Sequence, residues 1–290
     1  MLRVCPTPIG NLGDITLRVL DVLKAADLIA AEDTRHTRGL LTHYGISKPL
    51  VSFYEHNELA RLPELLERLR AGEEIALVSD AGMPGICDPG YRLIRAALDE
   101  GLPVEVLPGP SALETALVAS GFPTDSFIFL GYLPRRKGDL STALAVIAGE
   151  TRTCVAYESP HRLKKTLDAA AAEAGLAGRR IAICRELTKK FEEIKRGTAA
   201  ELAAGLPENV KGEIVLVFEG TGESAEGGGA ARARTSDMDS LEGIEKALSG
   251  MLTEGISPRR AAELVALATG RSKNGVYKLA LVLKDGLRKE

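Results

Sequence analysis

Leu77-Val-Ser-Asp-Ala-Gly-Met-Pro-Gly-Ile-Cys-Asp-Pro-Gly90 passes from an apolar strand into a loop with too much glycine and proline to be core. Glu74 to Val78 reads as a short buried strand, after which Gly82, Gly85 and Gly90 free the backbone to turn sharply and approach another molecule. Pro84 and Pro89 stiffen that path. In open α/β sheets ligands gather beyond the carboxyl ends of strands, and this loop leaves one such end. A plain surface turn is the alternative for any isolated cluster of this kind.

Four other segments share the form of an apolar strand followed by polar or glycine-rich punctuation. Val4 leads into Cys5-Pro-Thr-Pro-Ile-Gly-Asn-Leu-Gly-Asp14, and Leu28 leads into Ala-Glu-Asp-Thr-Arg-His-Thr37. Val104 to Leu107 lead into Pro-Gly-Pro-Ser-Ala112, and Cys154 to Ala156 into Tyr-Glu-Ser-Pro-His-Arg162. Between them, Leu17 to Ala26, Leu59 to Ala71 and Tyr91 to Glu100 carry apolar residues at helical spacing. Strand and helix in alternation predict a mostly parallel sheet within the first 110 residues. Ser111 is placed to cap a helix running to about Ser120, and strands near Phe127, Cys154, Ile181 and Ile214 give the second half an α+β character.

The expected organisation is an N-terminal α/β domain over 1–110, a second α/β domain over 111–220, a flexible Gly/Ala/Ser-rich linker over 221–236 and a small helical domain over 237–290. In the last, Ser257-Pro258 is an N-cap and first-turn pair, Gly270 a stop, and Ser272 a cap for a second helix bearing Val276, Leu279, Ala280 and Leu283. Two short helices about a glycine turn predict helix-turn-helix geometry, with a merely structural hairpin as the rival.

Apolar residues make up 45% and charged residues 27% of the 290, as in globular proteins. No apolar run approaches the roughly 18 to 20 residues that span a bilayer, and a signal-peptide layout is missing, so a cytoplasmic location is expected. Cys5, Cys87, Cys154 and Cys184 lack metal-ligand or disulfide spacing and are expected to be reduced, and buried or incidental. His36, His43, His56 and His161 do not combine with carboxylates into a metal motif, and no metal is expected. The G-x-G-x-x-G and G-x-x-x-x-G-K-[ST] fingerprints are also missing, which argues against NAD and P-loop nucleotides. A net charge of -3 argues against indiscriminate nucleic-acid binding. Locally, however, Ile256 to Glu290 holds eight Lys or Arg against three acids, and Arg135, Arg136 and Lys137 form a second basic cluster, read as a loop.

Taken in order, these segments resemble one family, the bacterial small-subunit ribosomal RNA 2′-O-ribose methyltransferases, a branch of the tetrapyrrole methylase superfamily. The resemblance spans about residues 1 to 220 and includes Phe129-Leu-Gly-Tyr-Leu-Pro-Arg-Arg-Lys137, Arg185-Glu-Leu-Thr-Lys-Lys-Phe-Glu-Glu193 and Lys211-Gly-Glu-Ile-Val-Leu-Val217. The first loop, Gly10-Asn-Leu-Gly-Asp14, departs from the G-x-G-x-G-D of the wider superfamily, which speaks against a porphyrin-type substrate. The resemblance implies an α/β fold of two tetrapyrrole-methylase-like domains with S-adenosylmethionine in the cleft between them; the excess of basic residues in the C-terminal helical domain points to RNA docking there. It implies methylation of a cytidine 2′-oxygen at the decoding centre of small-subunit (16S) ribosomal RNA, as naked RNA or in the assembled 30S subunit, by a homodimer.

By the same resemblance, the cofactor is lined by Pro8, Asp80, Ala81, Gly82, Ile86, Ser111 and Ala112, with Tyr157 and Leu187 near its adenosine. For the chemistry, Glu32, Asp33, Arg35, His36 and Glu158 are the candidates. Glu32 or Asp33 would accept or orient the hydroxyl proton and Arg35 would hold a phosphate. His36 is an alternative base, its reference pKa lying near 6.5. The plainer alternative has Asp33 capping the next helix with Arg35 paired to it. Arg135, Arg136, Lys137, Arg259, Arg260, Arg271, Lys273 and Lys278 are the expected RNA contacts, whereas Lys189 and Lys190, alternating with Glu192 and Glu193, read as a salt-bridged surface and not a nucleic-acid track. A small-molecule methylase and a non-catalytic RNA-binding assembly factor are the rival functions.

Overall fold

The computed structural model describes residues 1–207, 209–222, 241–253, 256–259, 261–262, 265 and 273–287. The chain divides into two compact units, Met1–Thr221 and Gly222–Glu290. The first is built on two five-stranded sheets.

Strands β1 (Leu2–Val4), β2 (Leu28–Ala31), β3 (Leu50–Ser52), β4 (Ile75–Val78) and β5 (Val104–Val106) form the first sheet in the order β3-β2-β4-β1-β5. Every pairing in it is parallel. The runs Leu-Ile-Ala-Ala of β2 and Ile-Ala-Leu-Val of β4 are apolar throughout because helices cover both faces of these strands. Helices α1 (Leu17–Ala25) and α2 (Thr34–His43) supply one cover, with Val19, Leu23 and Leu41 packed on Ile29, Ala76 and Val78. Helices α3 (Glu58–Arg70) and α4 (Tyr91–Asp99) supply the other, with Leu65, Leu69 and Leu93 against Leu2, Ala30 and Leu77. From β1 the chain moves toward the β3 edge and from β4 toward the β5 edge. The carboxyl ends of these adjacent strands therefore flank a topological switch point.

The second sheet, in the order β6-β7-β10-β8-β9, is mixed. It comprises β6 (Phe127–Tyr132), β7 (Thr153–Glu158), β8 (Ile181–Arg185), β9 (Glu193–Gly197) and β10 (Ile214–Phe218). Only β6 and β7 run parallel; β10 is antiparallel to both β7 and β8, and β9 to β8. Helix α5 (Ala112–Ser120) covers one face. Helices α6 (Lys137–Gly149), α7 (Leu163–Ala172) and α8 (Ala199–Ala204) cover the other through Leu144, Leu167 and Leu202. Thr198 and Glu201 close a reciprocal capping box that starts α8.

The helices predicted within residues 1–120 fall within a residue of their expected bounds, and Ser111 caps α5 through its Oγ, which accepts the Glu114 N–H at 3.4 Å. One expectation is corrected. Arg136 occupies the N-cap position of α6, without a side-chain cap bond, and Lys137 opens the helix, so the second basic cluster sits on a helix start and not wholly in a loop. Lys189 lies in a salt-bridged surface, as the sequence pattern predicts, with Glu186 and Glu213 as its partners, while Glu192 accepts the Thr188 N–H. Cys5, Cys154 and Cys184 are buried thiols, and burial pushes Cys5 up to about 12; Cys87 is exposed.

In the second unit, helices α9 (Leu241–Thr253) and α10 (Lys273–Leu287) share an apolar core of Ile244, Leu248, Ala261, Ala262, Val265, Val276 and Ala280. The Ala261 N–H reaches the Ser257 carbonyl at 2.9 Å, as a helical turn from Ser257-Pro258 requires. Gly270, Ser272, Arg260, Arg271, residues 223–236 of the expected linker and the first four residues of the expected helical domain, 237–240, lie outside the described residues. No described helix is long and apolar enough to cross a membrane.

Candidate active site

A cleft of about 410 Å³ is lined from both sheets, by Glu32 and residues 80–83 and 86–88 on one side and Tyr132, Tyr157, Leu187 and Glu213 on the other. The loops after β1 and β4 are tied by a two-way backbone pair in which Thr7 and Gly82 exchange N–H to carbonyl bonds of 2.9 Å. Thr7 Oγ1 adds a bond of 3.0 Å to the Ser79 carbonyl. Gly82 has φ +78, a value that side chains oppose, and it places main chain on the cleft surface. Gly90, at φ +137, gives its N–H to the buried Glu58 carboxylate at 2.9 Å, which anchors the far end of the loop at the start of α4.

Of the expected cofactor residues, Asp80, Ala81, Gly82, Ile86, Ser111, Ala112, Tyr157 and Leu187 all line this cleft. Pro8 does not; it lines a second cavity of about 330 Å³ with Thr7, Leu12, Arg35, His36, Gly39, Leu40 and Asp80. Asp80 borders both spaces.

The acidic side chains divide by environment. Glu32 enters the cleft, where its Oε2 accepts the Asp80 N–H at 3.2 Å, and Asp80 Oδ1 accepts the Asp33 N–H at 3.1 Å. Burial raises the Glu32 carboxyl above its ordinary range, with the Asp80 N–H opposing and the Asp80 and Asp33 charges adding. Asp88 is pushed up to about 7, first by burial and then by the Glu32 charge, against a hydrogen bond from Ser79. Asp88 was not among the sequence candidates, although it lies in the middle of the Ile-Cys-Asp-Pro-Gly run of the loop; what identifies it is the company of Glu32, Asp80 and Glu213, which only the fold brings together.

Asp33, by contrast, caps α2 through the Arg35 N–H at 2.8 Å and binds the Arg35 guanidinium at 2.8 and 3.2 Å. These bonds hold its carboxyl far below the usual range, and its place is the plainer one that the sequence allowed. Glu158 borders the same cleft, with its side chain turned inward. Its fully buried carboxylate accepts the Ser159 N–H at 2.6 Å and the Thr166 hydroxyl at 2.5 Å and pairs with Arg162. These three contacts occupy most of the roughly four lone-pair sites of a carboxylate and leave it little capacity for a ligand. Among the RNA candidates, Arg135, Arg136, Lys137, Arg259 and Lys278 are exposed, and Lys273 begins α10.

Apolar walls from Ile9, Ile86, Leu187 and Val215, main chain at Gly82 and the capped start of α5 suit a ligand with an aromatic part and a charged amino-acid part. Among the described residues no group of three or more His, Cys, Asp or Glu is placed to hold a metal ion.

Comparison with known proteins agrees with this geometry. Residues 1–203 match the Tetrapyrrole (Corrin/Porphyrin) Methylases family, and residues 237–284 match the RsmI C-terminal HTH domain. The fold is that of solved methylases: the methyltransferase CobJ superposes with a TM-score of 0.58 at 21% identity, covering 76% of this chain and 94% of that one. Diphthine synthase superposes with a TM-score of 0.56 at 13% identity, covering 75% and 89%. Fold and cleft thus define a methyltransferase of the tetrapyrrole-methylase class. The chain belongs, more narrowly, to the ribosomal RNA small subunit methyltransferase I family. It is 44% identical to the member from Halalkalibacterium halodurans over 96% of this chain and 93% of that protein. It is likewise 44% identical to the member from Escherichia coli O157:H7 over 97% and 94%.

Proposed function

We propose that the protein transfers a methyl group from S-adenosylmethionine to the 2′-oxygen of a cytidine at the decoding centre of small-subunit ribosomal RNA. The observation that carries the reading is the cleft that sets the glycine-rich loop after β4 beside the raised carboxyls of Glu32 and Asp88. A hydroxyl nucleophile must lose a proton, and a carboxyl lifted toward neutrality is suited to take it. The name shared by relatives that align with nearly the whole chain supports ribosomal RNA as the substrate.

Asp80, Ala81, Gly82, Ile86, Ser111, Ala112, Tyr157 and Leu187 would hold the cofactor. When bound, it supplies an electrophilic methyl group on a sulfonium. The chain's part is to align the ribose hydroxyl and accept its proton, and alignment alone is worth effective molarities on the order of 10⁵ to 10⁸ M. Glu32 is the acceptor, with Asp88 sharing the proton in the same cleft. Arg35 and His36, in the cavity bordered by Asp80, hold the neighbouring phosphate. Asp33 orients Arg35, and Glu158 braces the loop after β7. Pro8 acts on the second cavity, beside the RNA rather than the cofactor.

Arg135, Arg136, Lys137, Arg259, Arg260, Arg271, Lys273 and Lys278 contact RNA phosphates. The enzyme works as a homodimer, as the family resemblance implies, and in the cytoplasm without a metal, as expected from its sequence patterns. The test is tritium transfer from labelled S-adenosylmethionine to small ribosomal subunits from cells lacking the activity, followed by nucleoside mass analysis. Label on the ribose of a cytidine is expected; label on a base, or none despite cofactor binding, would refute the assignment.

A further inference from the structure

Tyr132 faces the cleft because of a single irregularity in β6. Along β6 and β7 the register runs Phe127 to Thr153, Ile128 to Cys154 and Phe129 to Val155, then shifts so that Tyr132 pairs with Tyr157. Three residues of β6 thus match two of β7. In an unbroken strand Tyr132 would share the face of Ile128, which packs into the core under α6 and α7. The extra residue moves it to the face of Phe129 and Tyr157. Gly131, at φ +63, supplies the left-handed conformation at this point. Cys87, in the loop after β4, lies against the bulge, its sulfur 3.4 Å from where a Cβ on Gly131 would stand.

The ring so placed is braced and yet open. It meets Tyr157 edge-on at 5.4 Å between centroids, and Tyr157 meets Phe129 edge-on at 5.0 Å. Even so, Tyr132 remains 62% exposed. It lines the same cleft as Asp88, Cys87, Glu213 and Glu32, so the free surface shares that space with the carboxyls assigned to the proton. A rigid aromatic surface exposed within a cleft, next to acidic groups, suits an unstacked nucleobase; single-stranded RNA bases are commonly held by such stacking.

We infer that Tyr132 is the stacking platform for the target nucleobase, set there by the β6 bulge so that the attached ribose meets Glu32 and Asp88. The inference rests on the reading of the protein as an RNA ribose methyltransferase. It is tested in the full-length enzyme by measuring kcat and KM on unmethylated small subunits, together with calorimetry of S-adenosylmethionine, for Tyr132→Ala and Tyr132→Phe. Loss of one stacked base should lower kcat/KM of the alanine variant by roughly 5- to 150-fold, with cofactor affinity unchanged. The phenylalanine variant should stay within about 3-fold of the parent, since stacking needs the ring and not the hydroxyl. The chain has no Trp, so Tyr132→Trp places a single fluorophore at the platform. Its emission should be quenched by unmethylated subunits in the presence of S-adenosylhomocysteine. A normal kcat/KM for Tyr132→Ala while the parent methylates RNA would overturn the platform alone, as would an equal loss of cofactor affinity. An absence of RNA methylation by the parent would instead overturn the underlying reading.

Discussion

Glu32, at the end of β2, accepts the backbone N–H of Asp80, at the end of β4, at 3.2 Å. The bond fixes a partly buried carboxyl at the carboxyl edge of the parallel sheet, beside the loop that forms one wall of the cleft. It also joins the two ends to the catalytic assignment, because the group that orients the loop is the one assigned the proton.

Glu32→Gln should therefore lower kcat by roughly 10² to 10⁴-fold, the usual contribution of a general base, while S-adenosylmethionine affinity changes little. Single-turnover methyl transfer with parallel calorimetry measures both. A loss of cofactor affinity matching the loss of rate would assign Glu32 to binding.

Asp88 lies near pH 7 in its titration, so the rate should rise with pH through about 7 as this carboxyl loses its proton. Asp88→Asn should remove that limb from the profile. The same group carries a stability consequence of definite sign. Its folded pKa lies above the ordinary 3.8, so the folded state holds the extra proton, and its contribution is fullest below about 3.8 and is lost as pH rises through about 7. Asp88→Asn should accordingly raise Tm at pH 8 relative to the parent and leave it nearly unchanged at pH 4, as calorimetric scans would show.

Glu158 should behave as a structural residue. Removing its charge leaves Arg162, 23% exposed in its side chain, with the Leu133 carbonyl but without its ion partner, and breaks the Thr166 contact. Breaking a buried ion pair from one side costs about 3 to 5 kcal/mol. Glu158→Gln, which retains part of the hydrogen bonding, should lose up to that amount in urea unfolding. The kcat of the folded fraction should stay within about 10-fold of the parent, far from the general-base loss.

Gly82→Ala imposes φ +78 on an alanine in the turn that pairs with Thr7. The added Cβ would find ordinary contacts, 3.6 Å from Ile9 and 3.8 Å from the Pro110 carbonyl, so the cost is conformational. About 1 to 2 kcal/mol is expected from the left-handed backbone, with weaker cofactor binding as the main chain shifts. Denaturant unfolding and calorimetry report the two effects separately.

Arg259 and Lys278 are exposed in the C-terminal unit. If they meet phosphates, each alanine variant should reduce the slope of log affinity against log salt by about 0.7 to 0.9 without altering which nucleotide is methylated. An unchanged slope would remove them from the interface.

The alternation of strands and helices was legible because β2 and β4 are uniformly apolar, while α1, α3 and α4 show helical spacing between glycine-rich or polar ends. Most of the cleft wall was legible for a related reason: Ala81, Gly82 and Ser111 sit in loops whose composition disfavours core packing. What stayed hidden depends on partners distant in sequence. Asp88 becomes unusual only beside Glu32, and Glu158 becomes structural only because Arg162 and Thr166 turn toward it on α7 and the turn before it. The orientation of Tyr132 depends on one extra residue in a strand, a shift that local periodicity does not register until β6 and β7 are aligned.

The central claim, that the acceptor is a ribose 2′-oxygen, is tested most directly by alkaline hydrolysis of the small-subunit RNA after reaction with the enzyme and S-adenosylmethionine. Cleavage in alkali needs a free 2′-hydroxyl. One cytidine linkage should become resistant in the parent reaction and remain cleavable after reaction with Glu32→Gln. Full incorporation of methyl groups with no linkage protected would contradict the account.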